Sequence, residues 1–499
     1  MKYAVAVLDI GKTNKKVALY DYAMRPIAVR KRKIETYEKD GLDIEDIETV
    51  VDWFLEQLAE LSAEYDIKSI AVTTHGATFV CLDADGNPSV PPVAYTNEVD
   101  DGVHERFWAA MGNPKEIQRI TATAEVKPLI NPAKLLWFLK ERWPEDFART
   151  ENILFYPQYF AYKLTGKIAA DITYTGCHGY LWDYRKWDWS LVADKLGVRG
   201  MLPKKPGLPS DELGTVSAEI AERTGLSPDT RVTLGVHDSN SSLIPYLITQ
   251  DKDFVLNSTG TWCVAMHPVD EVRFEEDELG KMVFYNLSYE GKPVKTSILM
   301  GGLEYAFYTE AIMKHHGRED WPDYDPAMYS DILSNPRTFL LPSLMPGSGQ
   351  FPDSVARVVD NGEEYSVGDI ESGRRWPKAF EDYGAGFALA NLSLAIQTRI
   401  ALLRAGLTPG TEVFIEGGFR QNGNYGALLG ALLPENPLYL TSLEEATSFG
   451  AALTAKALAD GVPVSSLAEY VILDKQPVAP AELEGIEAYV SAFMGHLGD

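Results

Sequence analysis

The sequence predicts an α/β fold made of two similar halves. Residues 3–20 form a pattern of strand, short polar turn and strand, and residues 254–266 repeat that order around a Ser-Thr-Gly turn. A third strand with the basic run 30–33, an apolar helical stripe over 44–61 and a buried strand over 68–76 follow the first pair. This order begins a ribonuclease-H-like unit. We therefore expect two such domains, 1–248 and 249–499, facing a cleft.

Further elements are predicted from periodicity and capping residues. Asp43 precedes the first helical stripe, and a long helical pattern over 383–403 precedes a strand over 412–418. Ser442 and Glu445 have capping-box spacing and predict the start of a last helix. The stretch 300–375 is rich in Pro, Gly and Tyr, so we expect an insertion with irregular structure there.

Composition limits the classes of partner. The chain has 499 residues, with 46 Lys plus Arg against 72 Asp plus Glu, a net charge of −26 that disfavours nucleic acid and anionic membrane surfaces. The three cysteines, Cys81, Cys177 and Cys263, are far apart in sequence and predict neither a disulfide framework nor a zinc site. We find no leader pattern and no apolar run of membrane-spanning length, and expect a cytoplasmic protein that acts on small molecules.

The first strand pair carries a carboxylate at its turn. Alternation along the strand delivers Asp9 to its end, and Gly11 allows the backbone to bend there. Successive amide N–H groups in such a turn suit anionic oxygens, and the carboxylate suits a hydrated Mg²⁺ carried by a phosphate. The turn is not a P-loop, because Ala6 stands where a glycine is required and a strand follows. An ordinary hairpin turn is the alternative interpretation.

Three later segments complete a candidate site. In 234–242 an apolar strand ends in His237 and Asp238, and a carboxylate there can accept the proton of a sugar hydroxyl or, alternatively, cap the next helix. The segment 257–262 places hydroxyls around Gly260 as the second half of a phosphate clamp. The segment 416–422 leaves a strand through a Gly-Gly turn, where backbone would lie against an adenine ring.

Taken in order, these motifs resemble the FGGY family of carbohydrate kinases, and most closely its L-fuculokinase and L-rhamnulokinase branch. The resemblance extends over most of the chain, in the segments 9–14, 70–76, 131–137, 171–176, 235–238, 258–262, 417–422 and 445–452. It implies two actin-like ATPase domains that close on a ketose and ATP, with transfer of the γ-phosphoryl group to a hydroxyl of a 6-deoxyhexulose such as L-rhamnulose or L-fuculose. Xylulose or ribulose as the substrate is the alternative within the family.

The resemblance also implies roles for individual residues. It makes Asp238 the general base and places Mg²⁺ near Asp9 through water. The implied sugar contacts are His75, Gly76, His237 and Ser239, although both histidines are alternatively structural. The implied ATP contacts are Gly11, Lys12, Thr13, Asn14, Lys15, Gly260, Thr261, Gly417, Gly418 and Asn422.

Some positions depart from the family pattern. Lys12 stands where relatives usually carry a small residue, the segment after Gly418 differs, and Gln158 replaces a frequent Asp. These departures leave the nucleotide and sugar preferences open. Two rivals also remain: a sugar-binding regulator that has lost catalysis, and an actin-like ATPase that acts without a sugar. The expected partners are a sugar and ATP, with a homodimer left open.

Overall fold

The computed structural model describes residues 2–126, 129–345, 347, 349–443 and 445–497. In its first half the strands and helices are β1 Lys2–Ile10, β2 Asn14–Tyr20, β3 Pro26–Lys33, β4 Tyr37–Lys39, β5 Leu42–Ile44, α1 Ile47–Ser62, β6 Tyr65–Thr74, β7 Phe79–Leu82, α2 Asp101–Met111, α3 Pro114–Thr121, α4 Pro132–Arg142, α5 Pro144–Phe147, β8 Asn152–Phe155, α6 Tyr156–Thr165, α7 Ile172–Thr175, β9 Trp182–Asp183, β10 Asp188–Trp189, α8 Leu191–Leu196, β11 Glu212–Thr215, α9 Ala218–Thr224, β12 Arg231–Thr233, β13 Val236–His237 and α10 Asp238–Thr249.

In the second half they are β14 Phe254–Thr259, β15 Cys263–Pro268, β16 Val283–Leu287, β17 Pro293–Leu299, α11 Gly301–His316, α12 Pro326–Ser334, β18 Thr338–Leu341, β19 Arg357–Asp360, β20 Glu363–Ser366, α13 Val367–Ser372, α14 Tyr383–Arg404, β21 Glu412–Gly417, α15 Gly423–Leu432, β22 Leu438–Ser442, α16 Ala446–Asp460, β23 Asp474–Pro477 and α17 Ile486–Gly495. Short 3-10 helices join several of these elements.

Two mixed sheets share one topology, as the repeated sequence pattern predicts. The first has the order β11-β12-β6-β1-β2-β3, with β13 also paired to β6. The second has the order β16-β17-β15-β14-β21-β22-β23. Within each sheet the opening strand pairs antiparallel with the next strand and parallel with the strand that follows a long helix. The two ribonuclease-H-like units are therefore confirmed.

Helix α16 lies on the first sheet although it follows most of the second in sequence. It packs against β1, β6 and α10, and buries Phe449 and Leu453 against Val5 and Val7. Gly450 allows this close approach, because an added Cβ would lie 1.8 Å from the carbonyl oxygen of Ser241 in α10. The first unit thus needs a helix from near the C-terminus, and the boundary at residue 248 stays a prediction.

Several predicted details were wrong. Helix α1 is capped by Asp46, whose side chain accepts a bond from the Thr49 amide, and not by Asp43. Ser442 ends strand β22, and the helix expected after it begins at Ala446 with Glu445 as its N-cap. The stretch 300–375 is mainly regular, since it contains α11, α12, a three-stranded sheet of β18, β19 and β20, and α13.

One helix among the described residues, α14, is long and apolar enough to cross a membrane. This corrects the expectation that no apolar run reaches that length. Of its most apolar stretch, 83% is buried inside the protein, where Phe387, Leu394 and Leu402 contribute to the core of the second unit. Such burial is typical of a core helix.

Candidate active site

Three parallel strands of the first sheet end at the same edge. Asp9 near the end of β1 pairs with Thr73 of β6, and Thr74 of β6 pairs with His237 of β13. The amide of His75 continues this pairing by donating to the carbonyl oxygen of Ile10 at 3.0 Å. The sheet therefore brings together the carboxylates and histidines that the sequence placed in separate motifs.

An open cleft of about 630 Å³ lies beside this edge, a volume in the usual range for small-molecule sites. It is lined by Asp9, Gly11, Lys12, Thr13, Asn14, Lys16, Asp238, Ser239, Ser242, Ser258, Glu416, Leu443, Glu445, Ala446 and Thr447. Ser258 and Glu416 come from the second sheet, so both halves of the protein contribute to its wall. Most of the predicted first-loop contacts, and the predicted base, face this one space.

The loop after β1 is closed by its own backbone and by a buried lysine. The Gly11 amide donates to the Asn14 carbonyl oxygen at 3.0 Å. Lys15 is 1% exposed, and its ammonium donates to the carbonyl oxygens of Gly11 at 3.1 Å and Lys12 at 2.8 Å. The Lys15 ammonium thus stabilises the loop from its buried side and does not line the cleft. The sequence had instead predicted that Lys15 contacts ATP. Lys12 does line it and donates to Glu45 at 2.6 Å.

Asp9 lies in a charged cluster that the sequence did not reveal. Its Oδ2 accepts bonds from the Lys16 ammonium at 3.0 Å and from the Ser448 hydroxyl, and Lys16 also contacts Glu445. Ser448 and Glu445 belong to the start of α16, so this helix completes the site as well as the sheet. A mostly buried carboxylate beside a loop of amides fits a hydrated Mg²⁺ carried by a polyphosphate.

Asp238 is the first residue of α10 and faces the cleft with 34% of its side chain exposed. Its Oδ1 accepts bonds from the Ser239 amide at 2.6 Å and the Ser239 hydroxyl at 3.3 Å. Burial nevertheless raises the pKa of Asp238 to about 6, and the negative charge of Asp9 acts in the same direction. A carboxylate with this pKa is ionised at neutral pH and accepts a proton more readily than an ordinary aspartate.

His75 packs beside Asp238 in an aromatic pocket. Its ring centroid lies 5.4 Å from that of Tyr95 and 5.1 Å from that of Tyr156. The Nδ1 atom lies 2.7 Å from the Gly76 carbonyl oxygen, which can only accept, so Nδ1 carries the proton and Nε2 is left as an acceptor. Burial lowers the pKa of His75, which keeps the ring neutral.

His237 is held by neighbours on both sides of its ring. Asn240 Nδ2 lies 3.1 Å from Nδ1, while Nε2 lies 3.4 Å from the Cys177 Sγ atom and 3.2 Å from Asp238 Oδ1. Burial lowers the pKa of His237 to about 3. Donation by Asn240 to Nδ1 leaves the single proton on Nε2, whose hydrogen-bond partner is the Cys177 Sγ atom and which also lies close to the carboxylate of Asp238.

The second turn lies at the edge of the other sheet. Thr259 of β14 pairs with Gly417 of β21, and an added Cβ on Gly417 would lie 2.0 Å from the Thr259 carbonyl oxygen. The Thr261 carbonyl oxygen accepts from the Leu303 amide at 3.3 Å at the start of α11. The structure therefore brings Gly260, Thr261, Gly417 and Gly418 to one exposed edge. These residues lie beyond the lining of the cleft itself.

Asn422 has a structural role in this protein. Its side chain is buried and caps α15 by accepting from the Tyr425 amide at 3.2 Å. Its Nδ2 atom donates to the Tyr305 hydroxyl at 3.2 Å and to Asn391 Oδ1 at 2.8 Å. The predicted contact with ATP stays a prediction, because these bonds engage the side chain within the protein and a contact with a nucleotide would fall to its backbone.

Glu416 faces the cleft and was not predicted as a site residue. Its carboxylate accepts from the Tyr246 hydroxyl at 3.1 Å, and burial raises the pKa of Glu416 to about 7. The sequence offered one signal for it, since Glu416 immediately precedes the Gly-Gly turn at the end of a strand.

Two α/β units with matching sheets and a cleft between them define an actin-like ATPase fold. The chain matches the family models described as the FGGY family of carbohydrate kinases, N-terminal domain, over residues 4–245, and carbohydrate kinase FGGY, C-terminal domain, over residues 251–462. Together these matches cover most of the sequence. The chain belongs to the FGGY family of carbohydrate kinases.

Relatives and solved structures agree with this assignment. Rhamnulokinase from Halalkalibacterium halodurans is 26% identical over 273 residues, and rhamnulokinase from Yersinia pestis is 26% identical over 267 residues. These alignments span 52% of this chain and only about half the length of each relative, 55% and 53%.

Whole-chain similarity comes from solved structures. A carbohydrate kinase from Novosphingobium aromaticivorans has a TM-score of 0.79 at 26% identity and covers 100% of this chain and 99% of its own. A xylulose kinase from Rhodospirillum rubrum has a TM-score of 0.78 at 17% identity, covering 99% of this chain and 98% of its own, which supports the fold alone.

Proposed function

We propose that this protein is an ATP-dependent sugar kinase that transfers the γ-phosphoryl group to a hydroxyl of a ketose. The observation that carries the proposal is Asp238, an aspartate with a pKa raised to about 6 that shares a cleft with the loop after Asp9. Phosphoryl transfer to an alcohol needs both a base for the hydroxyl proton and a cradle for anionic oxygens. The cleft contains both.

Asp238 accepts the proton of the attacking hydroxyl in this mechanism. The Ser239 amide and hydroxyl orient the carboxylate, with His237 Nε2 3.2 Å from it, and His75 offers its unprotonated Nε2 to a sugar hydroxyl. In this mechanism the phosphates lie against the loop 11–14, whose Gly11 amide is already bonded within the loop, and the ammonium groups of Lys12 and Lys16 stabilise the negative charge of the transferring group. Positioning and charge neutralisation supply most of the catalysis.

ATP is the proposed donor, and Mg²⁺ its proposed partner. Asp9 would hold the hydrated ion, which neutralises charge on the phosphates when bound. The edge that carries Gly260, Thr261, Gly417 and Gly418 lies on the second sheet and is the proposed nucleotide side. Glu416 lies between this edge and the cleft. Because its pKa is raised to about 7, a large fraction of its carboxyl groups is protonated at neutral pH. The protonated form can donate a hydrogen bond to a ribose or phosphate oxygen.

The proposed substrate is a 6-deoxyhexulose such as L-rhamnulose or L-fuculose. The 26% identity to rhamnulokinases supports this choice over xylulose or ribulose. The partly buried ring of Tyr95 beside His75 offers an apolar face of the kind that a methyl group requires. One methyl group changes transition-state binding by only about 1–3 kcal/mol, so we expect measurable activity on several ketoses.

The test is a coupled assay with ATP, Mg²⁺ and a panel of ketoses, repeated with Asp238→Asn. The amide cannot accept a proton, so turnover should fall by about 10²–10⁴ while calorimetry still detects sugar binding. Asp229→Asn is the matched control, because Asp229 is exposed and outside the cleft. Sugar binding without turnover in the unmodified protein would contradict the kinase proposal and favour a sugar-binding regulator.

A further inference from the structure

The first half contains a cluster of three metal-ligating side chains next to the base. Cys177, His178 and His237 each direct one ligand atom into the same small volume, with all three atoms within 4.8 Å of one another. Cys177 and His178 follow the short helix α7, and His237 ends strand β13. The sequence could not show this cluster, because 58 residues lie between His178 and His237.

The spacing of Cys177 and His237 suits two ligands of a tetrahedral ion. The Cys177 Sγ and His237 Nε2 atoms are 3.4 Å apart. In a tetrahedral zinc site the sulfur lies about 2.3 Å from the ion and the nitrogen about 2.0–2.1 Å from it. A sulfur and a nitrogen placed in this way are roughly 3.5 Å apart. A thiolate with two imidazoles is a donor set that favours Zn²⁺, whereas Mg²⁺ takes oxygen ligands.

Gly76 leaves space where the two imidazoles converge. A Cβ added at Gly76 would lie 2.7 Å from His178 Nε2 and 2.9 Å from His237 Nε2. Both Nε2 atoms therefore point to the face of a residue that has no side chain. Asp238 Oδ1, 3.2 Å from His237 Nε2, lies on the side of the cleft.

We propose that Cys177, His178 and His237 bind one Zn²⁺ ion, with the fourth coordination position open towards Asp238. Binding would occupy the Nε2 atom that otherwise orients the base, and would place positive charge beside its carboxylate. Zn²⁺ at this position therefore inhibits turnover in competition with the sugar and not with ATP. Metal binding itself is independent of the proposed kinase function, whereas the inhibition rests on it.

The test uses the purified full-length protein, with Zn²⁺ titrated by calorimetry and Co²⁺ as a spectroscopic probe. We expect one site per chain and a thiolate-to-cobalt charge-transfer band, which reports sulfur ligation whether or not the protein is a kinase. Cys177→Ala should abolish the band and weaken Zn²⁺ by about tenfold or more, equivalent to at least about 1.4 kcal/mol. Cys263→Ala replaces another buried cysteine and is the matched control. It should change neither the charge-transfer band nor the affinity for Zn²⁺.

A second variant keeps the test decisive if Cys177→Ala misfolds. His178 is only partly buried, and His178→Gln should weaken Zn²⁺ similarly while retaining the charge-transfer band. In the kinase assay, added Zn²⁺ should raise the apparent KM for the sugar in the unmodified protein and much less in either variant. A missing charge-transfer band, or equal Zn²⁺ affinity in Cys177→Ala and the unmodified protein, would overturn the site. A site without kinase activity would refute only the inhibition.

Discussion

Asp238 should give the reaction a characteristic dependence on pH. Its pKa in the folded protein is raised to about 6 by burial, and the carboxylate must be unprotonated to accept the hydroxyl proton. Activity should therefore be complete above this pKa, and kcat/KM should fall by about tenfold per pH unit below it. The measurement is kcat/KM from about pH 5 to 8, where an ordinary aspartate would still be ionised. The residual activity of Asp238→Asn should lack this decline, and a flat profile in the unmodified protein would refute the assignment.

Gly76 should be intolerant of a side chain. The Cβ of Gly76→Ala would press against the Nε2 atoms of His178 and His237 and displace both rings. We expect the KM for the sugar to rise by about tenfold, equivalent to about 1.4 kcal/mol, with little change for ATP. Gly200→Ala is the matched control, since an added Cβ there meets no described atom within 4 Å. Equal effects on both substrates would indicate a folding defect.

The positions of site residues were predictable where a motif determined the backbone, and less so where a side chain could choose between several partners. Asp9, His237 and Asp238 were found because strand ends direct them to one edge. Lys15 was misplaced because the pleat of β2 turns its side chain inward, under the loop. The sequence did not indicate that the Asn422 side-chain oxygen caps α15.

At the scale of elements, the packing of α16 on α10 should be sensitive to one methyl group. Gly450→Ala would place a Cβ 1.8 Å from the Ser241 carbonyl oxygen and force the two helices apart. We expect a loss of about 1–3 kcal/mol in the free energy of unfolding, measured in urea. Gly495→Ala in α17 is the control, because its Cβ meets no described atom within 4 Å and should be neutral or stabilising. Equal stability of the two variants would contradict the close helix contact.

Periodicity predicted the strands β1, β2 and β6 and the long helix α14, because each has an apolar face or an apolar run of its own. It did not predict the structure within 300–375, where Pro and Gly occur at the ends of elements and not within them. Nor did it indicate which sheet α16 covers. A helix that is apolar on most faces, as α16 is, matches either sheet equally well, so only the tertiary structure decides.

For the whole molecule, the cleft between two units predicts closure on ligands. Its wall is open in this structure, and water must be excluded from the γ-phosphate for efficient transfer. Solution scattering should show a smaller radius of gyration with ketose plus a non-hydrolysable ATP analogue than without ligands. The ATP analogue alone should decrease the radius of gyration by less than both ligands together. An unchanged radius with both ligands would point to a preformed site.

The position of α16 also determines when during synthesis the first unit can be completed. The face of its sheet that carries Val5 and Val7 is only partly covered, by α10, until residues 446–460 have left the ribosome. A nascent chain with an exposed apolar sheet is prone to aggregate and to recruit chaperones. The same helix supplies Ser448 to Asp9. A chain interrupted before residue 446 therefore lacks both the helix that covers this sheet and the hydroxyl that binds Asp9.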